Sequence, residues 1–282
     1  MKERTNLQDR IIGGTLFVVI IFGLILVREW AIIPFDLFVI FSGVYGAFEL
    51  LKLLGDESKT SRAFLIIYGV LAIPANAWKG EIGLLVVVLM LFAIRAIVAL
   101  FGKDDILKSL MNFALSLFYP LWLFSLLMVM NHWGEYGTIA LLLVFMIGPF
   151  CDVGAYMFGM TIGGKKLCPS ISPNKTIAGA IGGILGGIVG ALTVCWISIT
   201  FISSTALLLV DQPIAISMFV MMGMIGAMCA EIGDLVESAL KRSVGVKDSG
   251  KFLPGHGGML DRFDGVIFVT VLVYVFSVVF IL

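Results

Sequence analysis

Charge is scarce in this sequence: Asp, Glu, Lys and Arg together make up 13% of the residues, and only two histidines are present. Soluble domains carry about 25% charged and about 45–50% apolar residues. A chain that is 60% apolar with a mean hydropathy of +1.09 is therefore no water-soluble globule. An excess of basic charge is also missing, since 19 Lys and Arg balance 19 Asp and Glu, so net charge gives no sign of a nucleic-acid partner. The four cysteines, Cys151, Cys168, Cys195 and Cys229, show no C-x-x-C spacing and read as small buried hydrophobes in a reducing compartment. No internal repeat is visible, which argues against a transporter built from repeated halves. What remains is a succession of long apolar runs, the pattern of a polytopic membrane protein.

A hydrocarbon core of about 30 Å needs about 20 mostly apolar residues per helix. Runs near 11–27, 31–54, 63–78, 82–101, 109–130, 137–162, 176–202, 214–240 and 265–282 meet that need, the third interrupted by Pro74. The expectation is an all-α fold of about nine transmembrane helices with a polar cavity facing the cytoplasm. With nine spans, Arg28 and Lys79 alone among the 19 basic residues fall on one side, and Arg95 lies inside a span. All the others share the opposite side, which the positive-inside rule makes cytoplasmic, together with the N-terminus. The C-terminus and the loop bearing His132, Trp133 and Tyr136 then lie at the far face, the latter as an interfacial aromatic anchor. Residues 1–135 read as a membrane scaffold of about five helices. Residues 136–282 read as a catalytic region of about four helices and two cytoplasmic loops.

Two polar regions stand out from this background. In the eighth run, Glu231, Asp234, Glu237 and Ser238 recur at i, i+3, i+6 and i+7, on one helix face. Acids in a membrane helix are costly and point to a polar cavity or to partners. Glu237 has a second reading, as a residue at the water interface near the helix end. The loop that follows, 241–264, concentrates Lys241, Arg242, Lys247, Lys251 and Arg262 with glycines, His256 and the acids Asp248, Asp261 and Asp264. Lys and Arg suit phosphates, glycine backbones can approach phosphate oxygens, and nearby carboxylates suit Mg²⁺. By composition alone the same loop could equally meet lipid headgroups. If the eighth and ninth helices are neighbours, Asp234, Asp261 and Asp264 converge just below the cytoplasmic surface.

The second region runs from Asp152 through Gly163-Gly164-Lys165-Lys166 to Ser172-Pro173-Asn174-Lys175-Thr176. Thr176 either caps the seventh helix or helps its N-terminus hold an anion. Asp152 could pair with Lys165 or Lys166, though its depth in the span favours a site role. Gly179, Gly183 and Gly187, with Gly186 and Gly190, are spaced for close helix packing.

On these residues the sequence resembles the phosphatidate cytidylyltransferases, also called CDP-diacylglycerol synthases. Ser238 to Asp264 match at every specified position the signature S-x-hydrophobic-K-R-x4-K-D-x-small-x2-hydrophobic-P-x-H-G-G-hydrophobic-x-D-R-hydrophobic-D. A second match covers Asp152-Val153-Gly154-Ala155-Tyr156, Gly159, Gly163, Leu167, Pro169, Ser172 to Thr176, Gly179, Gly182 and Gly183. Pro149 and Ala178 depart from the residues usual in that family. The resemblance implies that phosphatidate and CTP react to give CDP-diacylglycerol and pyrophosphate for phospholipid biosynthesis. It further implies a Mg²⁺ requirement, a homodimer and an active site at the cytoplasmic leaflet of a bacterial inner membrane. Carried over by motif, Asp234, Asp261 and Asp264 hold the metal, and Lys241 and Arg242 join them as catalytic groups. Asp152, Ser172, Lys175, Thr176, Ser238, Lys247, Asp248, Lys251, His256, Gly257, Gly258 and Arg262 bind substrate. A CTP-dependent lipid kinase is the rival reading, and a cation transporter using Asp152, Glu231 and Asp234 is a third.

Overall fold

The computed structural model describes residues 2–102, 105–202, 212–250, 252 and 257–280. Apolar runs with every backbone hydrogen bond closed inside the segment are what a bilayer admits, and the chain is accordingly helical almost throughout. In order, α1 is Lys2–Val27, α2 Ile33–Leu53, α3 Lys59–Leu100 and α4 Ile106–Ser116. A π-helical turn, Leu117–Trp122, containing Pro120, carries α4 into α5, Leu123–Asn131. Then come α6 (Glu135–Thr161), α7 (Ile177–Ile197, extended by a π-helical turn to Ile202), α8 (Gln212–Ser243) and α9 (Leu260–Phe280).

Seven described helical stretches are long and apolar enough to cross a membrane, and Gly13–Val27 of α1 is a shorter apolar one. This is an all-α integral membrane protein. The expected spans 63–78 and 82–101 both fall within α3, whose 42 residues are too many for one crossing. Its break is at Lys79 (φ −149°) and Gly80 (φ 54°), and Pro74 is accommodated within the first arm. Gly80 occupies a left-handed conformation that other residues adopt at a cost. Arg95 Nη2 donates to Ser61 Oγ at 3.3 Å. Along a straight helix those residues would be about 51 Å apart, so α3 is a hairpin of two antiparallel arms.

One short β-pair departs from the all-α expectation. Strands β1 (Lys166–Cys168) and β2 (Ser172–Thr176) pair antiparallel, Lys166 opposite Thr176 and Cys168 opposite Ser172. Gly163 and Gly164, at φ 62° and 91°, end the preceding helix; Pro169 lies in the turn between the strands and Pro173 within β2.

The chain divides into two compact units: Met1–His132 with Val244–Phe263, and Trp133–Ser243 with Asp264–Leu282. The segment 244–263, which follows the C-terminal helices in sequence, thus belongs with the N-terminal half. In the first unit the core is aromatic, with Phe263 packed against Phe17, Phe38 and Phe124 at ring separations of 5.4, 6.2 and 4.5 Å. Here His132 is no free interfacial residue, because its Nε2 meets Asp36 Oδ2 at 2.9 Å. Asn131 completes the group by donating to Asp36 Oδ1 at 2.8 Å and accepting from Arg28 Nε at 2.9 Å.

The second unit is built on glycine. α7 packs between α6 and α8 so closely that a Cβ on Gly154 would strike the Gly182 carbonyl, and one on Gly223 the Gly187 carbonyl. Small residues four apart let helix backbones touch, as their spacing predicts. Trp133 stacks on Tyr274 in this unit at 5.5 Å.

Candidate active site

Close packing of α6, α7 and α8 leaves a cavity of about 350 Å³ in the second unit, with Asp152, Tyr156, Lys175, Thr176, Glu231 and Asp234 on its wall. Ligand cavities begin at about this size. α6 supplies Asp152 and Tyr156, β2 supplies Lys175 and Thr176, and α8 supplies Glu231 and Asp234. Lys175 Nζ lies 2.6 Å from Asp234 Oδ2. Ser238 Oγ, one turn along α8, donates to Asp234 Oδ1 at 3.3 Å. Lys165 and Lys166, the partners considered for Asp152, are exposed on the β-hairpin, and Ser172 is half-buried there.

Thr176 caps α7, accepting the Gly179 N–H at 3.0 Å, and it also faces the cavity. Its two readings are thus compatible, the side chain serving the helix while the strand beside it brings Lys175 to Asp234. Lys241 is ion-paired to the buried Glu237 one turn earlier on α8. Glu237 therefore faces the protein rather than the water interface. Arg242 is exposed.

The charge balance of the cavity is acidic. Asp152 and Asp234 both act electrostatically on Glu231 and on Asp264, with Lys175 opposing them at Glu231 and Lys241 at Asp264. A surplus of carboxylates repels a triphosphate unless a cation intervenes. Among the described residues no three His, Cys, Asp or Glu side chains converge as a ready ligand set. Mg²⁺ does not need one, since it commonly takes one or two protein carboxylates and fills its octahedron with water and phosphate oxygens. The donor set around Asp234 and Asp264 suits that ion.

Asp261 belongs to the first unit, where its Oδ2 holds the glycine loop together. It accepts Gly258 N–H at 2.7 Å, Ser249 N–H at 3.0 Å and Ser249 Oγ–H at 3.0 Å. Gly257 is at φ 81°, and a Cβ there would run into the same carboxylate oxygen at 2.6 Å. Gly258 is buried, whereas Lys247, Asp248 and Arg262 are exposed. Lys251 and His256 lie outside the described residues. Two acids escaped the site inferred from sequence. Glu231 lies in the cavity wall and was visible as the first member of the acidic face of α8. Glu49 of α2 touches the loop, and its only signal was an isolated acid within an apolar run.

A family model described as "Cytidylyltransferase family" matches residues 8–280. The phosphatidate cytidylyltransferase of Bacillus subtilis (strain 168) is 30% identical over 281 residues, covering 95% of this chain and 97% of its own. The phosphatidate cytidylyltransferase of Staphylococcus saprophyticus (strain ATCC 15305) is 41% identical over 133 residues, covering 47% of this chain and 46% of its own. That of Staphylococcus aureus (strain COL) matches to the same extent.

Proposed function

The chain belongs to the cytidylyltransferase family, and on that premise we propose that it transfers the cytidylyl group of CTP to phosphatidate, forming CDP-diacylglycerol and pyrophosphate. The observation that carries the reading is the acidic cavity in which Lys175 is paired with Asp234. An in-line displacement at phosphorus needs positioned charge more than a covalent intermediate. A phosphate oxygen of phosphatidate attacks the α-phosphorus of CTP, and the bond from that phosphorus to the pyrophosphate oxygen breaks. The attacking monoester is already largely ionised near pH 7, so no side chain has to remove a proton from it.

Asp234 and Asp264 would hold Mg²⁺, which when bound supplies charge neutralisation at the transferring phosphorus. Lys175 and Lys241, each tethered to an acid, offer cations that exchange a carboxylate for a phosphate when substrate arrives. Ser172, Thr176 and Ser238 orient oxygens by hydrogen bonding. Arg242, Lys247 and Arg262 are exposed basic groups suited to phosphate oxygens, with Arg as the bidentate fork. Asp152 and Glu231 tune the cavity's charge. Asp261 organises the glycine loop through Oδ2, and its reading as a third metal carboxylate rests on the sequence motif alone.

The reading also includes about nine spans, counting both arms of α3 and α1, a cytoplasm-facing site in a bacterial inner membrane, and a homodimer. A cysteine at exposed Val244 in a cysteine-free background tests the orientation. In sealed right-side-out vesicles an impermeant thiol reagent is expected to reach it only after permeabilisation, and labelling of intact vesicles overturns the assignment. Crosslinking in native membranes tests the dimer. The reaction itself is tested with purified protein, phosphatidate, Mg²⁺ and CTP labelled at the α- or γ-phosphate. Label entering lipid from the α position is the expected result; label entering from γ would make the protein a lipid kinase.

A further inference from the structure

Glu49 lies in the apolar α2, 7% exposed, about 200 residues from the glycine loop in sequence. Its Oε2 accepts Leu260 N–H at 2.9 Å and Ser249 Oγ–H at 3.3 Å. Ser249 Oγ also reaches Asp261 Oδ2 at 3.0 Å, so one hydroxyl bridges the two carboxylates. Gly250 and Gly258 lie directly on the Glu49 carboxylate, and a Cβ on either would collide with it. Two α-helical turns of the same face complete the contact. Tyr45 and Phe41, at i−4 and i−8 from Glu49, pack on Phe252 at ring separations of 4.7 and 6.0 Å.

From this arrangement we infer that Glu49 is the positioning residue of the loop. Its carboxylate sets the backbone of 249–250 and 258–260, and thereby the direction in which Asp261 and Arg262 are presented. The inference rests on the reading above, that the loop meets substrate phosphates. A structural filler would not serve. Glu49 stands in an apolar helix, where a carboxylate is expensive, and it lies against two glycines whose missing side chains make room for it. Its Oε1 is buried without a hydrogen-bond partner, so the carboxylate is held in place by the loop donors on Oε2 and by contact, not by its own helix.

The test uses the full-length protein in detergent or proteoliposomes. Glu49→Gln is expected to raise KM for CTP or phosphatidate about tenfold, the size of one charge-assisted hydrogen bond, with kcat changed less. In the same variant, amide exchange at Gly258 and Leu260 is expected to rise about tenfold, while exchange in α6 to α8 is unchanged. Unchanged exchange at those two amides overturns the clamp. Faster exchange with both KM values unchanged reduces Glu49 to packing and overturns the positioning role. Should the wild-type protein move no α-label into lipid, the reaction assignment fails while the exchange measurement still decides the clamp. A second pair guards against misfolding of Glu49→Gln. Gly250→Ala should impair turnover, and Glu49→Asp, shorter by one methylene, should restore part of it in that background. Absence of any rescue, with both proteins folded, counts against the contact.

Discussion

In the first unit Asp36 is wholly buried, and its two carboxylate oxygens are taken by Asn131 and His132. In the second, Asp152 and Asp234 stand in the wall of a cavity, and Asp234 is held by a lysine that remains partly exposed. Both are acids on helices of an apolar chain, yet they answer the cost of burial differently. One is neutralised by a fixed set of donors and becomes part of the fold. The other keeps access to water and can exchange its partner. Packing follows the same division: the first unit interlocks aromatic rings, while the second presses glycine backbones together beside a small cavity with acids in its wall. Acidity in a membrane helix therefore marks a candidate substrate cavity only where the surrounding helices leave room.

Substitutions can break that contrast. Asp234→Asn should cause the largest loss, a fall in turnover of about 10³ with the protein still folded, because Mg²⁺ and Lys175 would both lose their carboxylate partner. Steady-state kinetics beside thermal unfolding in detergent would check it, and retained Mg²⁺-dependent activity would remove Asp234 from the site. Asp261→Asn should cost about 10² in kcat/KM, since the loop loses a charged acceptor for three donors. Its amide-exchange signature should be confined to 249–260. Lys247→Ala should raise KM about tenfold at unchanged Tm, an exposed lysine contributing little to folding. Asp36→Asn should invert the pattern, lowering stability by about 2 kcal/mol through a misplaced donor opposite His132 while kcat and KM stay put. Glu135→Gln, exposed in the first turn of α6, should be nearly silent in both measurements.

Much of the fold was legible in one dimension because a bilayer restricts the choices. Apolar runs of about 20 residues can only be helices, so α2 and α6 to α9 fall close to their expected places. The glycine spacing of α7 announced close packing, and the acidic face of α8 announced a polar surface. The α3 hairpin was legible as two runs, 63–78 and 82–101, and the break at Lys79–Gly80 falls in the gap between them. The β-pair at 166–176 was not legible, since three- and five-residue strands leave no periodicity to read. Asp36 was not legible as the partner of His132 because it lies 96 residues away in sequence.

Sequence alone determined that the chain is a helical membrane protein and which residues are candidates for its chemistry, because hydropathy and a signature with fixed spacing are properties of order along the chain. Only the tertiary structure decided what each of those residues touches. It paired Lys175 with Asp234 and Lys241 with Glu237, and it joined the loop 244–263 to the N-terminal unit. It also set Glu49 against Ser249 and Leu260. A buried carboxylate must find donors wherever the fold brings them, and for Glu49 those donors lie some 200 residues further along the chain.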